Sequence, residues 1–170
     1  MKRILLTGIS GVAKSTLASE LARRGYKAVD ADSDEFSEWV EVSGQVAEAA
    51  GSPVEADRDW VWREDRMRDL LATEDAEALF VSGCAANMGT FLPQFDHVVL
   101  LSAPAHVIAE RLRTRTNNPY GKHPDDVARV LRLKDSVEPL LRHVAGHEID
   151  THAPLDDVVT EVLRRVQVQH

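Results

Sequence analysis

A chain of 170 residues is the size of one ordinary domain, enough to bury a single core and too short for two independent enzymes. A hydrophobic share of 44% and a charged share of 28% are those of a globular protein in water, and no apolar run approaches the roughly 20 residues of a membrane span. The formal net charge of −8 argues against general affinity for nucleic acid or anionic lipid, which comes from clustered lysine and arginine, so phosphate binding has to be local.

The N-terminal MKRILLTG enters a strand at once with no signal-peptide pattern, so a cytoplasmic location is expected. The run ILLT is nearly all apolar and does not alternate, as in a central strand buried on both faces. The helix after it packs Leu17 and Leu21 on one face and stops at Gly25. A second strand at Ala28–Val29 leads into VDADSD. Residues 34 to 73 form an acidic insertion holding all three tryptophans, predicted as two or more short helices turning at Gly51-Ser52-Pro53. Within it, ADRDWVWREDRMRDLL reads as the start of an amphipathic helix, with Asp59 as N-cap and Trp62 and Arg66 one turn apart.

Further strands are predicted at Leu79–Ser82, Val98–Ser102 and, more weakly, His147–Asp150. Helices separate them: one capped by Ser102 with Pro104 in its first turn and running to about Arg115, one from near Pro124 to Pro139, and one from about Leu155 to Val168. Alternating strands and helices predict a single α/β domain with a parallel sheet covered on both sides. Cys84, the sole cysteine, has no internal disulfide partner and suits a reducing compartment.

The stretch GISGVAKST, Gly8 to Thr16, nearly matches the phosphate-binding loop GxxxxGK[ST], and it lies where that loop works, between the first strand and the first helix. Backbone N–H groups from Gly8 through Ser10, Gly11, Val12 and Ala13 to Lys14, Ser15 and Thr16 would cradle phosphate oxygens. Lys14 would reach the β and γ phosphates and Ser15 would ligate Mg²⁺. Ala13 stands where the motif has its second glycine. A dinucleotide fingerprint fails on spacing, because Gly8-x-x-Gly11-x-Ala13 is not GxGxxG. If Ala13 has negative φ the loop is nearly intact, and if φ is positive, nucleotide affinity falls.

Asp30, Asp32 and Asp34 follow at and beyond the second strand. Carboxylates beside a triphosphate call for Mg²⁺ and a hydroxyl acceptor, although aspartate also suits turns and caps. The arginine-rich RLRTRTNNPYGK, residues 111 to 122, stands out in so acidic a chain and suits a closing lid, with Arg115 nearest the loop. Of the histidines, His143 and His147 have i,i+4 spacing, but Gly146 interrupts the helix and zinc is not expected.

Taken together, GxSGxxKST, the DxD pair Asp32 and Asp34, the RT of the arginine-rich segment and HEIDTHAPLDDVV resemble the small P-loop kinases, among them shikimate kinase, gluconate kinase and the related nucleoside monophosphate kinases. The resemblance spans nearly the whole chain and implies a three-layer P-loop NTPase fold. Its sheet would have five parallel strands in the order 2-3-1-4-5, with a substrate-binding insertion at about 34–73 and a mobile lid at about 113–124. It also implies an ATP- and Mg²⁺-dependent phosphotransferase acting on a small-molecule acceptor. Lys14 would stabilise the transferred group, Ser15 and Asp32 would hold Mg²⁺ and Asp34 would meet the acceptor hydroxyl. Arg115 would lie against the adenine and phosphates, and Thr151 to Pro154 would border the adenine. Trp62 and Arg63 match the element that contributes a substrate-binding arginine in shikimate kinases. Gly83 lies in Ser82-Gly83-Cys84, where those enzymes have three glycines, and Val137 stands where they have a carboxylate-binding arginine, so the expected acceptor is not shikimate itself. Two other readings stay open on the residues: a nucleotide-binding regulator of weak catalysis, and a polynucleotide 5′-kinase.

Overall fold

Strand β1 (Lys2–Thr7) buries Ile4, Leu5 and Leu6 completely, and because successive side chains point to opposite faces, the strand is covered on both sides. The structure is a computed structural model in which residues 1–41, 54–55, 58–114 and 123–168 are described. After β1 and the glycine loop comes α1 (Lys14–Arg23), which ends at Gly25 with φ of 97°, and then β2 (Lys27–Asp30). The insertion supplies β3 (Ser37–Glu41), β4 (Val54–Glu55), β5 (Arg58–Trp62) and α2 (Glu64–Leu71). The chain continues through β6 (Ala78–Ser82), β7 (His97–Ser102), α3 (Ala105–Thr114), α4 (Pro124–Ser136), α5 (Glu138–Val144), β8 (His147–Asp150) and α6 (Leu155–Val166).

The main sheet runs β2-β6-β1-β7-β8, all parallel; counting only its own strands, this is the expected order 2-3-1-4-5. Every residue of β6 is buried, and α6 adds Val158, Val159, Val162, Leu163 and Val166 to the same core as Leu17 and Leu21 of α1. At the end of α4 the helix stops before Val137, and Pro139 sits in the first turn of α5, where its missing N–H leaves no hydrogen bond unmade.

Three local expectations are corrected. The first half of the insertion is not a set of short helices: β3 pairs antiparallel with β5, which pairs with β4, and Trp39 stands opposite Trp60. SEWVE and RDWVW alternate with period two and carry aromatic and β-branched residues, a strand pattern that the nearby helical spacing of Trp62 and Arg66 obscured. Helix α2 therefore starts after Arg63, and Asp59 lies in β5. Finally, Ser102 is the last residue of β7, donating its hydroxyl to Glu148, and it does not cap α3. The proposed turn at 51–53 and most of the proposed lid lie outside the described residues. No helix among the described residues is long and apolar enough to cross a membrane.

Candidate active site

The glycine loop closes over the C-terminal end of β1. A Cβ at Gly8 would sit 2.6 Å from the Leu101 carbonyl oxygen, and one at Gly11 would sit 2.8 Å from Ile108 Cγ2, so both positions are limited by neighbouring atoms. Val12 is fully buried, which leaves its backbone as its contribution to the loop. Ala13 adopts φ 69° and ψ 30°, the left-handed conformation that the motif's second glycine provides without strain. Of the two outcomes weighed from sequence, the positive φ is the one found.

Lys14 Nζ reaches back across the loop and donates to the carbonyls of Gly8 at 2.7 Å and Ile9 at 2.9 Å. Ser15, in the first turn of α1, donates its hydroxyl to Asp30 Oδ2 at 3.0 Å, and Thr16 is exposed. The other oxygen of Asp30 accepts the Asp32 backbone N–H at 3.0 Å.

Asp32 is held at both oxygens, accepting from Trp62 Nε1 at 3.1 Å and from the Cys84 N–H at 3.2 Å. Burial pushes its carboxyl up to about 6, against the pull of the Lys14 charge, and the neighbouring Asp30 adds to the rise. Asp34 is exposed at the rim, and its backbone carbonyl accepts from Arg63 Nε at 3.3 Å. The two aspartates thus sit in different surroundings, one recessed and fixed, one at the surface.

Trp62 is 1% exposed, with its ring beside Phe91, and it does not present an open face for stacking on an acceptor. A Cβ on Gly83 would fall 2.8 Å from Asp32 Oδ1 and 3.0 Å from Trp62 Cζ2, so a glycine here lets indole and carboxylate meet. Arg63 pairs with Glu38 at 3.1 Å and donates to the Ser37 carbonyl at 3.2 Å. Beside it opens a groove of about 420 Å³ whose lining includes Glu38, Val61, Arg63, Arg66 and Asn87.

Arg115 lies outside the described residues, and Arg113 is a surface residue near Glu110 at 3.6 Å. The arginine that reaches the loop is Arg111, which sequence reasoning passed over. Its guanidinium donates to the Gly11 carbonyl at 3.2 Å, to Thr151 Oγ1 at 2.9 Å and to the Thr151 carbonyl at 2.5 Å. Burial lowers its pKa, with Asp150 acting in the opposite direction. The available signal was helical phase: three residues after Ile108 and one before Leu112, Arg111 borders the stripe that α3 buries. Thr151 is itself buried and donates to the Ser102 carbonyl, and the Pro154 carbonyl accepts from the first turn of α6.

Ser15 and the aspartates are hard oxygen donors, the chemistry that suits Mg²⁺. Among the described residues no three of His, Cys, Asp and Glu gather to hold a metal ion.

A five-stranded parallel sheet with a lysine-bearing glycine loop between its first strand and first helix defines the P-loop NTPase class. The chain belongs to the AAA domain family, whose model matches residues 4–132. It is similar to shikimate kinase 2 of Yersinia enterocolitica serotype O:8 / biotype 1B, 29% identical over 171 residues covering 94% of this chain and 92% of that protein. Its fold is that of the shikimate kinase from Acinetobacter baumannii in complex with shikimate (TM-score 0.64, 19% identity, covering 98% of this chain and 93% of that one). A gluconokinase from Sinorhizobium meliloti 1021 is also alike, with TM-score 0.61 and 20% identity over 98% of this chain and 91% of that one. The resemblance to shikimate kinase holds in sequence and in fold, and that to the gluconokinase in fold.

Proposed function

We propose that the chain is an ATP- and Mg²⁺-dependent kinase that moves the γ-phosphoryl group to a hydroxyl of a small molecule. The observation that carries this reading is the meeting of Lys14 and Ser15 of the glycine loop with Asp30 and Asp32 at the C-terminal ends of parallel strands. That edge is where open α/β sheets place ligands.

Lys14, now spanning two loop carbonyls, swings its ammonium onto the phosphates, and the loop N–H groups orient them. Ser15 and Asp32 would hold Mg²⁺, whose charge would neutralise that developing on the transferred group. Asp34, at the rim, receives the acceptor hydroxyl. Arg111 ties the Thr151 loop to the glycine loop and so fixes the walls between which the nucleotide lies. Arg115 and the rest of the lid supply charge from the chain beyond α3.

The acceptor in this reading is not shikimate. Val137, where shikimate kinases carry a carboxylate-binding arginine, is 3% exposed and part of the apolar core, so neither its chemistry nor its position serves an anion. The test is ADP release in the presence of nucleosides, nucleoside monophosphates, sugar acids, aminoglycosides and shikimate. One class should stimulate release, and the stimulation should vanish in Lys14→Ala and Asp34→Ala. Stimulation by shikimate would remove the exclusion, and stimulation only by a 5′-hydroxyl oligonucleotide would replace the small-molecule reading. Ala13 in the left-handed region favours a second reading, a nucleotide-binding regulator, which would bind ATP with no acceptor raising turnover.

A further inference from the structure

The resemblance gives Trp62 to the acceptor, yet its side chain is buried and its polar atom points to the acidic turn. The indole Nε1 donates to Asp32 Oδ1 at 3.1 Å while the Cys84 N–H donates to Oδ2 at 3.2 Å, so the carboxylate is held at each oxygen. These groups come from separate parts of the chain: Asp32 follows β2, Cys84 follows β6, and Trp62 ends β5 in the insertion.

The main chain of Trp62 is clamped as well. Asn87 Oδ1 accepts the Trp62 N–H at 3.1 Å and Asn87 Nδ2 donates to the Trp62 carbonyl at 2.8 Å, the two bonds that a residue of a neighbouring strand would exchange. Phe91 packs against the ring, with centroids 6.0 Å apart. Gly83 passes so close to the bond between indole and carboxylate that a Cβ there would meet both groups. Packing alone does not call for this partner. A buried indole N–H is satisfied by any carbonyl oxygen, whereas a carboxylate in that place carries a desolvation cost that a bound cation offsets. A rigid ring locked in this way can hold a functional group to within about 0.5 Å of its working position.

We infer that Trp62 is a positioning residue for the transfer site: it fixes the Asp32 carboxylate from the insertion side, and Asn87 sets the strand from which the indole reaches. Trp62 and Asn87 also line the groove of about 420 Å³, so the same two residues fasten the floor of that groove to the carboxylate. The inference rests on the kinase reading of Asp32 as a Mg²⁺ group and gives Trp62 a role that the resemblance does not assign.

The test titrates Mn²⁺, as the probe for Mg²⁺, into the full chain with ADP and follows it by electron paramagnetic resonance. Trp62→Phe keeps an aromatic ring and removes the N–H. It is expected to weaken Mn²⁺ affinity in the ternary complex by about tenfold, the lower end of what loss of an outer partner costs at metal sites. ADP affinity in EDTA should stay within about twofold, since the backbone cradle and Lys14 are untouched. Asn87→Ala, which keeps the indole and releases its strand, should weaken Mn²⁺ binding in the same direction and serves if the phenylalanine variant does not fold. In isotope-labelled parent protein, the indole N–H resonance absent from Trp62→Phe should move when Mg²⁺ is added to the ADP complex. Unchanged Mn²⁺ affinity in Trp62→Phe, or in Asn87→Ala where that variant stands in for it, overturns the inference, as does an indole signal that Mg²⁺ leaves in place. An equal loss of ADP affinity in EDTA also overturns it, since Trp62 would then be a packing residue only. A parent chain that binds no Mn²⁺ with ADP overturns the kinase reading itself, whereas a parent that binds it, with the variant unchanged, overturns this inference alone.

Discussion

Ala13 occupies a conformation that charges a Cβ roughly 1–2 kcal/mol, and a glycine there would give back about 0.4–1 kcal/mol through its freer unfolded chain. The difference leaves Ala13→Gly more stable by about 0.5–1 kcal/mol, a shift that urea unfolding resolves. The same substitution should bind ATP at least as tightly, and a clear loss of affinity by calorimetry would show the loop has been misread. Asp32 gives a second residue-scale prediction. Its folded carboxyl, at about 6, binds a proton more tightly than the unfolded one at 3.8. The stability it contributes is therefore complete below about pH 4 and is lost as pH rises through about 6. Between pH 4 and pH 8 in EDTA the parent should lose about 1–3 kcal/mol of stability that Asp32→Asn, which does not titrate, retains. Equal losses in the two proteins would mean the carboxylate carries no burial penalty.

At the scale of elements, the glycine loop was legible because its chemistry is local: first glycine, lysine and hydroxyl keep their spacing between one strand and one helix. The φ of Ala13 was not legible, because an alanine ordinarily adopts negative φ and nothing in its own identity announces the left-handed value of 69°. The insertion was misread for a related reason. Trp62 and Arg66 have helical spacing, but the hydrogen bonds that settle the matter join Ser37–Glu41 to Arg58–Trp62, residues no local pattern connects. Arg111 escaped notice because three arginines alternate along one segment and only tertiary contact separates the buried one from the exposed Arg113. That contact makes a prediction. Arg111→Ala removes bonds to both Gly11 and Thr151, leaving buried acceptors unpaired, and should cost about 1–3 kcal/mol and weaken ADP binding as well. Arg111→Lys should recover little, since one ammonium does not reproduce the guanidinium fork. Full recovery by lysine in thermal unfolding and ADP titration would refute that account.

For the whole molecule, a sheet buried on both faces followed from apolar runs that do not alternate, because such burial is a property each strand carries in its own composition, whereas the strand order came from the family resemblance. The pairing of individual residues across strands is not carried that way, and it creates a feature at the end of the sheet opposite the glycine loop. His97 and His147 open β7 and β8, and His147 Nε2 lies 3.3 Å from His97 Nδ1. The sequence offered only the i,i+4 spacing of His147 with His143, set aside because Gly146 interrupts the helix, and His143 is exposed on α5. Burial holds the His97 pKa below its usual value, and the His147 and Lys2 charges push the same way while Asp96 opposes them. The folded form thus takes up a proton less readily than the unfolded form, so the stability His97 contributes is present above about pH 6.5 and is lost as pH falls through its lowered folded value. His97→Gln, which keeps a polar partner for His147 but does not titrate, should lose less stability than the parent between pH 7.5 and pH 5.5, as read from urea midpoints at the two pH values. Its ADP affinity should match the parent at both, because the pair sits at the strand starts and the glycine loop at the strand ends. Equal losses in the two proteins would place the acid sensitivity of the fold elsewhere, and a fall in ADP affinity would mean that the two ends of the sheet are coupled.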